Sequence, residues 1–403
     1  MVFQSPSSHC TSYAQWVRRT IRRVRSSGSL MVSLFESSVP EPVELLREIV
    51  EDGFSEPLTS RYTSAFSSGN PFVLSHLAAH YGLPESSILC TTGATGALSL
   101  VYRALLEPGD RILIESPCFD LFHTIAQSQG HAVDSFERSG PAFAIDPDEV
   151  AANIRPDTRL IVLSNLHNPS GMLVPDDVVR DIATRAAKVG AAVVVDEVYA
   201  SYADGAGRRT PAVHLAPNVI SIDSMTKRFG LSTLRCGWLL AHPHLMRPIR
   251  ELNDAVEFSV SNLAHAVAAL ALERKSELHA YSDGILDAAR PVIEAYHAYW
   301  RARELVDGEL PQFGCIAFPR LIGVDETEEF SDWLAARGSV VVAPGEYFGR
   351  AGHVRLGFGI GKAQLDYGLQ TLTDGLVTWR DNEAARRQPA RTRPAAPTGG
   401  IVE

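Results

Sequence analysis

The chain has 403 residues, 45% of them hydrophobic and 21% charged, which is globular material with enough length for two domains and a large core. Thirty-seven basic against 47 acidic residues give a formal charge of −10, and this excludes a nucleic-acid footprint, which needs a basic face to neutralise phosphates. No apolar run approaches the roughly 18 to 20 residues that span a bilayer. The cysteines (Cys10, Cys90, Cys118, Cys236 and Cys315) are odd in number, far apart and never in a CxxC. They form neither a disulfide framework nor a zinc knuckle, and point to a reducing, cytoplasmic setting.

The first 35 residues contain no Asp or Glu but carry Arg18, Arg19, Arg22, Arg23 and Arg25 among several serines. Two readings stay open for residues 1–30: an N-terminal arm or short helix with a solvated basic face, and an organellar transit peptide. From about residue 86 to 242, short β-branched runs alternate with helical stretches. The predicted strands are Ser87–Thr91, Arg111–Glu115, Leu160–Ser164, Ala192–Asp196, Val219–Asp223 and Gly237–Ala241. Between them Asp176–Val189 repeats apolar residues (Val178, Val179, Ile182, Ala183, Ala186) at helical spacing. Continuous apolar strands separated by helices predict an α/β fold with a mostly parallel sheet buried on both faces. Residues 61–289 are expected to form this large domain.

Residues 290–380 have strands of their own (Cys315–Phe318, Val340–Val342, Val354–Gly357) and read as a smaller α+β domain, which residues 31–60 are expected to join. From Asn382 onward the chain is rich in Pro, Ala and Arg and almost devoid of large apolar residues. Such a stretch cannot offset its ordering entropy and is expected to be a disordered tail over 381–403.

In sheets of this kind ligands sit beyond the carboxyl ends of the strands, and the chemistry-bearing residues fall there. Lysine is scarce: only Lys188, Lys227, Lys275 and Lys362 occur. Lys227, in SMTKRFGLSTLRCGW, follows the strand VISID directly. A lysine after a strand is by itself usually a surface residue. One that is partly desolvated and near positive charge has a lowered pKa and attacks carbonyls. Upstream, in VVVDEVYASY, Asp196 ends an apolar strand, where an unpaired carboxylate is expensive. A pyridinium N–H would be a suitable partner; a helix N-cap is the plainer role. Tyr199, three residues on, could bond a ring hydroxyl or simply pack.

In CTTGATGALSLVYRAL a strand ends at Gly93 and a helix is expected to begin near Thr95. Free N–H groups of Ala94 and Thr95, with the Thr95 hydroxyl, suit a dianion. Ser224 and Thr226 flank Lys227 with hydroxyls. Arg235 would supply charge through a bidentate fork, unless it serves a surface ion pair.

Taken together these motifs resemble the class I/II aminotransferases of the aspartate aminotransferase superfamily, the fold-type-I enzymes that use pyridoxal 5′-phosphate (PLP). GATGAL, ESPCF, NLHNPSG, DEVY, SMTKRFGLSTLRCGW, VVVAPGEYFG and HVRLGFG run in the family's order between Gly69 and Gly359. The resemblance implies a large domain with a mostly parallel seven-stranded sheet sandwiched by helices, a PLP cofactor and a homodimer. It implies that Lys227 is the internal aldimine lysine and proton shuttle, that Asp196 pairs with the pyridine nitrogen, and that Tyr199 and Asn168 bond the 3′-oxygen. Lys227, Asp196 and Tyr199 are thus the expected catalytic residues. By the same resemblance Phe119 stacks on the ring, and Gly93, Ala94, Thr95, Ser224, Thr226 and Arg235 hold the phosphate. Arg355, in HVRLGFG, grips the substrate α-carboxylate, with Asn168 and Ser38 as further substrate-binding residues.

Several positions depart from the family. The N-terminal substrate loop, usually a GxPD-like pattern, is SLFESSVPEP, with Ser37 and Ser38. The usual Leu-Arg pair is Val73-Leu74. The tyrosine that reaches the partner subunit's phosphate should lie near Ser64, where Tyr62 is the nearest tyrosine and Phe66 another aromatic. NLHNPSG is one residue short of the commonest loop. The resemblance therefore implies an aminotransferase working between an L-amino acid and a 2-oxo acid. The altered substrate side keeps a second reading open, a PLP-dependent lyase or cyclising synthase of specialised metabolism. An acyl-transferring synthase is disfavoured by Phe119, where that branch has histidine. A PLP-sensing transcription regulator would need a longer segment ahead of the fold for DNA binding, and no GxGxxG supports a dinucleotide oxidoreductase.

Overall fold

The computed structural model describes residues 12–27, 31–55, 59–65, 68–204 and 210–387; Cys10, Phe66 and the stretch from residue 388 lie outside them. The chain begins with α1 (Tyr13–Ser27), β1 (Val32–Ser33), α2 (Val43–Gly53) and α3 (Pro71–Tyr81). There follow β2 (Ile88–Thr92), α4 (Gly93–Leu105), β3 (Arg111–Ser116), α5 (Leu121–Ser128), β4 (Ala132–Glu137), α6 (Pro147–Asn153), β5 (Thr158–Ser164), α7 (Asp176–Ala187) and β6 (Ala192–Asp196). After them come β7 (Val219–Ser224), β8 (Cys236–Ala241), α8 (Pro243–Val256), α9 (Asn262–Glu273) and α10 (Lys275–Ala302). The last part holds the short strands β9 (Val306–Asp307), β10 (Ile316–Ala317) and β11 (Arg320–Leu321), then α11 (Thr327–Gly338), β12 (Val340–Val341), β13 (Ala343–Pro344), β14 (Val354–Gly357) and α12 (Lys362–Arg387).

Seven strands form one sheet in the order β2-β8-β7-β6-β5-β3-β4. Only β8 runs against its neighbours; the rest of the ladder is parallel. Alternate residues of one strand serve opposite faces. Ile112, Ile114, Leu160, Val162, Val194, Ile220 and Ile222 pack with α4, α5 and α8, through Leu98, Val101, Phe122 and Ile249. Their neighbours Leu113, Ile161, Leu163, Val193 and Val195 pack with α6 and α7, through Val150, Val179, Ile182 and Ala186. Both faces are therefore dry, as the unbroken apolar runs predict.

The sequence reading misses β4. In Ala132–Glu137 only Phe136 is fully buried, because an edge strand has one partner and keeps a wet side. The helix expected near Thr95 begins at Gly93, whose φ of +72° only glycine adopts without strain. Downstream, β1 pairs in parallel with β12, and β14 lies between β10 and β13. Leu34, Val340, Val354, Leu356 and Phe358 share a core there with α10, α11 and α12. Residues 31–60 divide: β1 forms a two-stranded sheet with β12 of the smaller region, whereas α2 lies against α9, with Gly53 touching Leu270. The expected tail is helical in its first part, since α12 runs through Arg387. Ala and Arg are good helix formers, and extending an existing helix avoids the cost of nucleation.

One buried ion pair fixes the strand ends beneath the site. Arg138 Nη2 lies 2.6 Å from Glu115 Oε2, with side chains 1% and 0% exposed. Glu115 also accepts from Ser164 N at 2.8 Å and Ser164 Oγ at 2.6 Å, and Arg138 donates to Ser164 O at 2.9 Å. Burial pushes the Glu115 carboxyl up, and Arg138 opposes that. Replacing Arg138 by Met leaves an uncompensated buried carboxylate and should cost about 3–5 kcal/mol, read as a lower urea midpoint at unchanged slope.

Candidate active site

The carboxyl ends of β2, β5, β6 and β7 converge on a cavity of about 200 Å³. Tyr13, Ser37, Ala94, Thr95, Phe119, Asn168, Asp196, Val198, Ser224, Thr226, Lys227, Arg235 and Arg355 contribute to its wall. Residues spread over more than 300 positions of sequence are thus brought to one ring-sized space. Two expected residues lie just outside the wall. Gly93 sits behind Arg235, and the Tyr199 ring lies under the Lys227 ammonium, 5.1 Å from its centroid. Ser38 is a correction: Ser37 lines the cavity, while the Ser38 carbonyl faces Gly359. Neighbouring residues of a non-helical stretch point to opposite sides, so only one of the two serines can face Lys227. Tyr62 stays 42% exposed on the surface.

Lys227 is half-buried, and its Nζ donates to Ser37 Oγ at 2.9 Å. Burial, and after it the positive Arg355, lower its amine to about 8, so near neutrality an appreciable part is uncharged and nucleophilic. Asp196 shows the opposite effect. Burial raises its carboxyl to about 7, opposed by a backbone N–H of Val198 at 3.1 Å and by Lys227. Those partners leave a half-buried carboxylate room for a further N–H or cation.

The anion cradle is built by close backbone approach. Thr92, at the N-terminal boundary of α4, makes no side-chain cap, so the first N–H groups of α4 face the cavity unspent. A Cβ on Gly93 would come within 2.5 Å of Arg235 Nη2. One on Gly237 would strike the Gly93 and Ala94 backbone closer than real Cβ contacts allow. Both glycines let β8 carry Arg235 against the start of α4. Arg235 itself is left-handed (φ 48°) and makes one long contact, Nη1 to Ser232 O at 3.5 Å, and no ion pair among the described residues.

Arg355, on β14, is 1% exposed. Its Nη1 donates to Asn168 Oδ1 at 3.0 Å, and its Nη2 to Phe35 O at 3.1 Å and to the Tyr13 hydroxyl. Its Nε has no partner, and no carboxylate of the described residues forms an ion pair with it. Asn168 is held in turn, its N–H donating to Ser164 Oγ at 3.0 Å. Tyr13 and Ser37 are site residues that the sequence reading leaves out. The signal for Tyr13 is present as the apolar spacing Tyr13, Trp16, Val17, Thr20, Ile21 among arginines, the stripe of an amphipathic helix.

These features fit PLP: an amine free to attack an aldehyde, an acid short of a cationic N–H, and an unpaired arginine beside a helix N-terminus for a phosphate. A buried arginine without a carboxylate adds a place for a substrate's acid group. No cluster of metal-ligating residues exists among the described residues.

Comparison with known proteins agrees. The family model for aminotransferase class I and II matches residues 60–372. The chain is 28% identical to capreomycidine synthase of Streptomyces vinaceus over 304 residues, covering 73% of this chain and 76% of that one. To an aspartate aminotransferase of Pyrococcus horikoshii it is 27% identical, with the same coverage. Among solved structures, a PLP-dependent aminotransferase from Streptococcus suis superposes with a TM-score of 0.79 at 25% identity, over 89% of this chain and 97% of that one. The PLP-dependent cyclase OrfR superposes at 0.77, also at 25% identity, over 94% and 100%. With the family motifs gathered around one cavity and the family model matching most of its length, the chain belongs to the class I and II aminotransferases, and pyridoxal 5′-phosphate is its cofactor.

Proposed function

We propose that the protein moves an amino group between an L-amino acid and a 2-oxo acid. The observation that carries this reading is Arg355, a buried guanidinium without a carboxylate partner that lines the same cavity as Lys227 and Asp196. Bound PLP supplies an electron sink for the charge left when a substrate loses its Cα proton. The rest falls to the chain. Arg355 and Asn168 hold the substrate carboxylate, which orients the Cα–H bond toward Lys227. The Lys227 amine, lowered to about 8, takes that proton and returns it one stage later. Asp196 would keep a proton on the ring nitrogen, Tyr199 would donate to the ring oxygen, and Phe119 would stack on the ring. The α4 N-terminus, Ser224, Thr226 and Arg235 hold the phosphate.

A second reading, a lyase or cyclising synthase on the same site, is favoured by Ser37. Where the family's substrate loop carries glycine, this chain sets a hydroxyl 2.9 Å from Lys227 Nζ. The similarity to capreomycidine synthase and OrfR supports the same possibility. Incubating holoenzyme with single amino acids and following product mass separates the two. A 2-oxo acid with the aminated cofactor supports transfer; ammonia, or a product lacking water, supports the other. Lys227→Ala should abolish either reaction, and a variant that still turns over would overturn the assignment.

The same amine yields a pH prediction. Capture of PLP by the cofactor-free protein needs uncharged Lys227, so its rate should rise with pH through about 8. Arg355→Leu removes a positive neighbour that lowers the amine, and should move the midpoint upward. Stopped-flow absorbance checks both.

We also infer a homodimer. Val256, Phe258 and Leu263 are 49%, 82% and 56% exposed, and Ala65 N donates to Asn262 Oδ1 at 3.1 Å, which brings the Tyr62 segment to that apolar face. Phe258→Asp should shift the sedimenting species to monomer. Free, buried Cys90, Cys118, Cys236 and Cys315 support a cytoplasmic setting.

A further inference from the structure

The Tyr13 side chain reaches the guanidinium that the substrate carboxylate would need. It is the first residue of α1, and its hydroxyl accepts from Arg355 Nη2. The guanidinium lies 5.0 Å from the Tyr13 ring centroid and 4.8 Å from that of Phe348, and the two rings adjoin each other at 5.3 Å. Burial raises the phenol to about 12, so it stays neutral and occupies Arg355 without compensating its charge. The fork that would meet a carboxylate is thus half taken: Nη2 is spent on Tyr13 and Phe35, and Nη1 keeps one hydrogen beyond Asn168.

The rest of α1 is fastened in a way that can give. Trp16 is buried against Phe35 and Tyr347, and Tyr13 N donates to Asp120 Oδ2 at 2.7 Å. Beyond that turn the helix is held by Arg19 to Glu328 at 2.7 Å and Arg23 to Asp332 at 2.9 Å, both partly exposed. Val17 and Ile21 pack beside Trp16 and Thr20 is buried, while the exposed ion pairs add little, so α1 is docked by one thin stripe whose first member is Tyr13.

We propose that Tyr13 is a latch: it holds α1 over the substrate pocket by occupying Arg355, and a substrate carboxylate releases it by taking Arg355 Nη2. A carboxylate offers two charged acceptors to the fork where the phenol offers one neutral acceptor, so the exchange favours substrate. Tyr13 is in these terms a positioning and selectivity residue, and its role rests on Arg355 being the carboxylate site.

The test uses holoenzyme, trypsin and 2-methylalanine, which has the amine and carboxylate of a substrate but no Cα proton. Cleavage after Arg18, Arg19, Arg22 and Arg23 is followed by mass spectrometry, and binding of 2-methylalanine by the cofactor's absorption. Saturating 2-methylalanine should speed cleavage in α1 by about threefold to tenfold, the size of one lost hydrogen bond. Tyr13→Phe, which keeps the ring, should be cut at the faster rate with or without it. The same variant should lower KM for the amino donor by a larger factor than it changes kcat. The double variant Glu328→Gln, Asp332→Asn should likewise be cut faster. If 2-methylalanine binds and cleavage in α1 is unchanged or slower, the latch is wrong while the aminotransferase reading stands. If wild type binds it no better than Arg355→Leu does, Arg355 is not the carboxylate site, and the latch falls with that assignment.

Discussion

Three ionisable groups, Asp196, Lys227 and Arg355, line one cavity without neutralising one another by contact. Everything else in the molecule serves to hold them there. The acid is pushed up to about 7 and the amine down to about 8 because burial desolvates both and no direct ion pair compensates. In a looser protein such a site would collapse onto its own charges or hydrate. It persists because strands buried on both faces fix the positions of Asp196 and Ser224 to within the sheet register.

The cradle for the phosphate illustrates the same constraint at the backbone. Gly93 and Gly237 bring two chain segments closer than any side chain would permit, and Arg235 is pressed into the resulting notch. Lower down, the Glu115–Arg138 pair ties Ser164 to β3 and to the loop after β4. Ser164 in turn orients Asn168. A buried ion pair of this sort is weak evidence for stability but fixes geometry, and here it sets the base on which the Asn168 loop stands.

Much of this was legible in the sequence because parallel strands write themselves as short unbroken apolar runs. Ala192–Asp196 and Val354–Gly357 match the predicted bounds, and most others shift by one or two residues. Lys227, Asp196, Thr95 and Arg235 have a chemical reason to be at a strand end or helix start, whereas Phe119, Asn168 and Arg355 are reached only through the resemblance to the family. Edge strand β4 is hidden, since AVDSFE has neither an unbroken apolar run nor a clean alternation and resembles a polar loop. Ser37 could not be told from Ser38 without knowing which side of an irregular stretch faces inward. Tyr13 was missed for a different reason. A run of arginines draws attention to charge, whereas the informative signal was the thin apolar stripe between them.

Arg355 belongs to the smaller sheet, on β14, and its partner Asn168 to the loop after β5 of the large one. The hydrogen bond between them, 3.0 Å long, is therefore also a strut between two layers. Any molecule that draws its acid group between these side chains is gripped by both layers at once. Ligand affinity in this protein then doubles as a gauge of how firmly one half of the chain is clamped against the other.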